Sequence, residues 1–116
     1  MSTNSTITIK DRSVFRTIYC HWDGYIDGVG FELRDNYRNK EAILELLKLG
    51  ELSALGADIS KCVAYHRDRG EDLCEADINE SYDKCRKEEY NYLWMHGQWW
   101  EGSSINSMKP LSEIAK

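Results

Sequence analysis

An α+β fold is what this sequence predicts: one domain with a small, mainly antiparallel sheet packed with two helices. The sheet is expected to comprise an N-terminal hairpin, a central strand and a C-terminal aromatic hairpin. Three observations predict it. Two runs of period-two alternation, residues 5–9 and 14–22, are separated only by Lys10-Asp11-Arg12-Ser13. Ala42, Ile43, Leu46 and Leu47 form an apolar stripe between Asn39 and Gly50. Tyr90-Asn91-Tyr92-Leu93-Trp94-Met95 and Trp99-Trp100 are β-favouring runs joined by His96-Gly97-Gln98.

Each element follows from local chemistry. Ser5-Thr6-Ile7-Thr8-Ile9 is β-branched almost throughout, which suits a strand with one buried face. On the second strand Val14, Ile18, Cys20 and Trp22 share one face, and Phe15, Thr17, Tyr19 and His21 the other. After Asp23-Gly24 the period changes. Val29, Leu33 and Tyr37 recur at four-residue steps, so a helix over residues 27–38 is expected, capped by Asp27. Gly28 and Gly30 weaken its first turn by about 1 kcal/mol each against alanine, which fits a close backbone approach there.

Asn39 caps the second helix and Gly50 ends it. Residues 51–56 read as one further turn, 61–67 as a buried strand, and the charged stretch beyond as a long loop with one irregular helical piece near 79–87. Residues 1–102 are assigned to the domain and 103–116 to a C-terminal tail, flexible or docked, with a short final helix at Pro110.

Composition narrows the function classes. A chain of 116 residues buries roughly 65% of its unfolded surface, room for one core. With 41% hydrophobic and 30% charged residues, thirteen aromatics must supply much of that core. The N-terminus is polar and no apolar run approaches the roughly 18 residues of a membrane span, so a cytoplasmic protein is expected. In that compartment Cys20, Cys62, Cys74 and Cys85 are expected as free thiols.

The net charge of −5 is concentrated. Between Asp68 and Glu89 nine acidic residues face four basic ones, so this stretch carries −5 by itself. That disfavours nonspecific nucleic-acid binding, which needs a basic face, and suits a partner with a basic surface.

The residues richest in chemistry are Tyr19-Cys20-His21-Trp22-Asp23-Gly24-Tyr25. With Arg67 and Arg69, the side chains of Tyr19, His21, Trp22, Asp23 and Tyr25 form the candidate binding patch, because exposed Trp, Tyr and Arg anchor protein interfaces. Asp68, Glu71, Asp72, Glu75 and Asp77 are the candidate acidic docking set. They lack the spacing of a calcium loop.

Cys62 and His66 could face one way on a strand, but Cys20 and His21 must point to opposite faces, and no paired-cysteine knuckle is present. Hence no metal, cofactor or catalytic residue is assigned. His21 and His66 near Arg67, Arg69 and Asp23 would suit a metal-independent nuclease, the second alternative. A small-ligand or nucleotide sponge built around Tyr19, His21, Trp22, Arg67 and Arg69 is the first.

Ile18-Tyr-Cys-His-Trp-Asp-Gly-Tyr25 resembles a motif of small uncharacterised proteins common in bacteriophage and prophage genomes. The likeness extends to Leu49-Gly-Glu-Leu-Ser-Ala-Leu-Gly56, Tyr65-His-Arg-Asp-Arg-Gly-Glu71, Glu89-Tyr-Asn-Tyr-Leu-Trp94 and Gly97-Gln-Trp99, about residues 5 to 100 in all. The chain departs from that pattern in a short link between Gly56 and Lys61. The resemblance implies origin more than mechanism. It points to a non-enzymatic protein, in the host cell cytoplasm, that binds and inhibits or modulates a host protein. A defence complex is one such target, in the manner of an anti-CRISPR protein.

Overall fold

The computed structural model describes residues 3–114, which form an eight-stranded mixed sheet with three α-helices and several single helical turns. The strands are β1 (Ser5–Asp11), β2 (Val14–Cys20), β3 (Leu52–Ala54), β4 (Val63–Ala64), β5 (Asp77–Asn79), β6 (Tyr90–Met95), β7 (Gln98–Glu101) and β8 (Lys109–Pro110). The helices are α1 (Phe31–Asn36), α2 (Lys40–Leu47) and α3 (Tyr65–Arg69). Sheet order is β4-β3-β2-β1-β6-β7-β8, with β5 also pairing to β2. Antiparallel pairings predominate; β1–β6 and β2–β3 are parallel.

Both expected hairpins form. β1 and β2 pair from Ser5↔Cys20 to Asp11↔Val14, and Arg12 takes a left-handed conformation in the turn. In the aromatic hairpin His96 and Gly97 both have positive φ, the backbone of a tight turn whose twist matches the strands it joins. The second expected helix is α2: the Asn39 side chain accepts from Ala42 N–H at 2.9 Å, and Gly50 sits at φ +76° just beyond its end.

Several expectations change. Residues 27–38 begin as a wide π turn, Ile26–Gly30, and become α-helical only from Phe31; Asp27 caps nothing. The cause is the Asp23 carbonyl, which accepts from Val29 N–H at 2.8 Å and lies 2.2 Å from where a Cβ on Gly28 would stand. Residues 51–56 are not a helical turn, because the Leu52 and Ser53 carbonyls accept from His21 and Trp22 N–H, each at 3.0 Å, and draw the chain into β3.

Residues 61–67 make only the two-residue β4 at one end of the sheet before turning into α3. Asp68 bonds Ala64 N–H at 2.8 Å, and this local bond overrides β-propensity. The charged loop also contains β5, for which no alternation gave notice.

Both sheet faces are covered, which is why residues 5–9 are all buried. On one face Ile7, Ile9, Ile18, Cys20, Tyr92 and Trp99 pack with Leu33, Tyr37, Ile43, Leu46 and Leu47 of the α1–α2 region. On the other, Phe15 and Leu93 pack beneath Tyr82 and Cys85. The tail is docked as far as Ile114: β8 pairs with β7, Leu111 is buried, and Arg34 donates to the carbonyls of Leu111 and Ile114. Instead of a final helix, Leu111–Glu113 forms one 3-10 turn after Pro110.

Alternate positions on the second face carry a buried polar line. Thr8 and Thr17 hydroxyls bond at 2.8 Å, and Thr6 donates to Asn91 Oδ1 at 2.8 Å. Asn91 also takes Glu88 N–H and donates to Glu88 O. Asn91→Leu would strand Thr6 and the Glu88 backbone, each a loss of about 1–3 kcal/mol. Urea denaturation is expected to show a lower midpoint for Asn91→Leu; an unchanged midpoint would mean that this network contributes nothing.

Candidate functional site

The site is built around the end of β2. Tyr19 and His21 lie two apart, so their side chains share a face, and Tyr19 Oη and His21 Nδ1 share a 2.7 Å hydrogen bond. The Trp22 ring meets His21 edge to face, with centroids 4.8 Å apart. Trp22 is 44% exposed and Tyr25 39%, whereas Trp99 is buried and Trp94 and Trp100 are half-buried. Five of the thirteen aromatics are buried and six half-buried, and these two project from the loop after β2.

Ser53 joins this loop to α3. Its carbonyl accepts from Trp22 N–H, and its buried hydroxyl accepts from Arg69 Nη2 at 3.3 Å. Arg69 also lies over the Tyr65 ring at 5.3 Å. Tyr19, His21, Trp22 and Arg69 thus assemble at a common rim. Asp23 and Tyr25 extend it as a separate exposed pair, with Tyr25 Oη donating to Asp23 Oδ1 at 3.1 Å. Asp23 takes a left-handed conformation, φ 58°, to make the turn.

Arg67 is not part of this rim. It donates to the carbonyls of Ile59 and Cys62 at 3.0 and 2.7 Å and grips Asp68 through two nitrogens, both at 2.9 Å. Asp68, bound also by Ala64 N–H, is an internal strut. Of the acidic docking set, Glu71, Asp72, Glu75 and Asp77 remain exposed, with no ion-pair partner among the described residues.

Glu71 and Asp72 meet the aromatic rim at a cavity of about 230 Å³, whose walls include Tyr19, Glu51, Tyr65, His66 and Cys74. His66 Nδ1 lies 2.7 Å from the Glu71 carbonyl. A carbonyl only accepts, so Nδ1 carries the proton and, in the neutral ring, Nε2 is the acceptor. Glu51, Cys74 and Arg86 belong to the site but to neither the binding patch nor the acidic set expected from sequence. Arg86 lies over the Tyr19 ring at 4.3 Å and binds Glu51 and Glu88 at 3.4 and 2.9 Å. Glu51 reaches Tyr19 only because β3 pairs with β2, a long-range event with no local signal. The charge of Glu51 pushes the Cys74 thiol up.

Among the described residues, no three His, Cys, Asp or Glu side chains converge to hold a metal ion, and no helix is long and apolar enough to cross a membrane. All four cysteines are free, with Cys20, Cys62 and Cys85 buried and Cys74 exposed.

The ionisable groups predict a two-sided pH profile. Arg67 first, then Ala64 N–H, holds Asp68 below 3.8; hydrogen bonding by Lys40, opposed by burial and aided by Arg16, does the same for Asp11. A carboxyl depressed in the fold stabilises it above the unfolded value, and that stability is lost as pH falls through the folded value. The urea midpoint is expected to drop as pH falls through and below the ordinary carboxylate range, less steeply in Asp68→Asn. Burial pushes Cys20 up to about 12 from 9.0, so its contribution is complete below 9.0 and lost as pH rises toward 12. Cys20→Ala is expected to flatten that alkaline limb.

No protein-family model matches the chain, and no curated protein or solved structure matches it.

Proposed function

We propose that this chain is a non-enzymatic protein of bacteriophage or prophage type that binds, and inhibits or modulates, a host protein with a basic surface. A nucleic-acid-handling or defence complex in the host cytoplasm is the target class, an anti-CRISPR-like role. One observation carries the reading. Glu71, Asp72, Glu75 and Asp77 stand exposed, without an ion-pair partner among the described residues, beside the Tyr19–His21–Trp22–Arg69 rim, whereas Arg16, Arg67 and Arg86 are each tied to a carboxylate of this chain. Unneutralised acid next to exposed aromatic rings suits a cationic protein face, where charge steers the encounter and aromatic anchors hold it.

The same charges weigh against the alternatives. A nuclease or nucleotide sponge must accommodate phosphates, yet Glu51, Glu71 and Asp72 line the cavity beside His66, and Arg86 is already paired. The test is affinity capture from lysate of an infected or prophage-bearing host, comparing the wild-type chain with a variant reversing Glu71, Asp72, Glu75 and Asp77. A basic host protein retained by the wild type and lost from the variant is the expected result. Equal capture by both would remove the acidic segment as the contact.

A further inference from the structure

β5 is an edge strand, as are β4 and β8 at the two ends of the sheet. Its three residues pair with β2 through Phe15↔Asn79, Arg16↔Ile78 and Thr17↔Asp77, and among the described residues no strand covers its other edge. Such an edge presents unused backbone donors and acceptors, a template for another strand. Chains commonly blunt such edges with charge, but here Ile78 is 58% exposed, more than any other large apolar side chain described. Beside it runs a groove of about 420 Å³ with an apolar floor of Leu44, Leu47, Ala76 and Ile78. Ile78 pairs with Arg16, whose face of β2 also carries Ile18 and Cys20, so its side chain lies on the α2 side of the sheet. Asp77, one residue away, points to the opposite side and lines the smaller cavity next to Tyr19.

We propose that the outer edge of β5 receives an extended basic segment of the partner as an added strand, with an apolar side chain seated in the groove between β5 and α2. This rests on the binder reading above and names its mode. In β-augmentation the main chain supplies affinity while alternate side chains supply specificity. An added strand would direct one set of side chains to Ile78 and Leu44 and the other to the side of Asp77.

Charge selects the occupant. On the groove wall Arg16 is paired with Asp11, and Lys48 reaches Glu45, so among the described residues Glu75 is the lining charge without an ion-pair partner. A segment alternating Lys or Arg with Val or Ile satisfies both sides at once. A second copy of this chain is disfavoured, because edge-to-edge pairing would set the acidic residues around β5 against their own equivalents.

The experiment uses the full chain labelled with ¹⁵N, titrated with capped heptapeptides in which Lys or Arg alternates with Val or Ile. Peptides of the same composition in block order, and acidic counterparts, serve as controls. Amide shifts centred on residues 76–80 and on Arg16 and Thr17 are expected for the alternating basic set alone. Ile78→Arg, at an exposed position, is expected to weaken binding by about 10- to 100-fold, and Lys109→Ala, exposed on β8 at the far end of the sheet, to leave it intact.

Failure of every alternating peptide to bind, binding centred elsewhere, indifference to Ile78→Arg, or dimerisation through this edge without peptide would each overturn the proposal. The two readings separate cleanly. Host-protein capture that survives Ile78→Arg but is lost on reversing Glu71 and Asp72 refutes the added strand and keeps the binder. Peptide binding at β5 with no host protein captured does the opposite.

Discussion

Trp99→Ala is expected to destabilise the chain by about 3–5 kcal/mol, a large part of the roughly 5–15 kcal/mol that holds a domain of this size together. Trp99 is only 3% exposed and connects three pieces of structure. Its indole Nε1 donates to the Tyr37 carbonyl at 2.7 Å, just past α1, and its ring meets Trp94 at 5.5 Å with planes 67° apart. Truncation therefore leaves a cavity between the aromatic hairpin and the helical layer and an unpaired carbonyl at its rim. Trp99→Phe separates the two contributions, since it keeps most of the apolar area and loses only the bond. Urea unfolding followed by far-ultraviolet circular dichroism should show a much lower midpoint for Trp99→Ala with a similar slope, and an intermediate one for Trp99→Phe. A loss under about 1 kcal/mol in the alanine variant would show that the hairpin does not depend on this anchor.

Reversing Glu71, Asp72, Glu75 and Asp77 together is expected to slow association with a basic partner by about 10- to 1,000-fold while leaving the unfolding midpoint close to that of the wild type. The contrast follows from the ion-pair pattern. These four carboxylates pair with nothing among the described residues, whereas Asp68 is bound by Arg67 and Ala64. Reversing Asp68 would damage α3 and confound the measurement, so it stays unchanged. Raising the salt from about 0.05 to about 0.5 M should weaken capture by the wild type, since screening at the higher value acts over only a few ångströms. Salt-insensitive capture, or capture unaffected by the four reversals, would move the contact to the Trp22–Tyr25 loop and away from the acidic segment.

The functional residues divide according to how their positions are determined. Tyr19 and His21 were recognisable as neighbours because alternation on one strand places them together. Arg67 and Arg69 looked equivalent in the sequence, since each is an exposed arginine near the end of the same segment. Folding residues 65–69 as a helix separates them. Arg67 turns back to the carbonyls of Ile59 and Cys62, while Arg69 reaches Ser53 beneath Trp22. Arg86 and Glu51 carried no sign of a role at Tyr19, being 35 positions apart.

What could be read directly from the chain lay within a few residues of itself: the two tight hairpins, the Asn39 cap and Gly50 stop of α2, and the concentration of acid after Asp68. These depend on dihedral preference, side-chain bonds to nearby backbone, and composition, all of which are local. The parallel pairing of β1 with β6, the recruitment of 52–54 and 77–79 to β2, and the burial of both sheet faces emerged only when distant segments met. Backbone hydrogen bonding is blind to side-chain identity, so no pattern in the Leu52 or Asp77 region announces its partner strand. Packing in three dimensions makes that choice, and with it decides which charges are left unpaired.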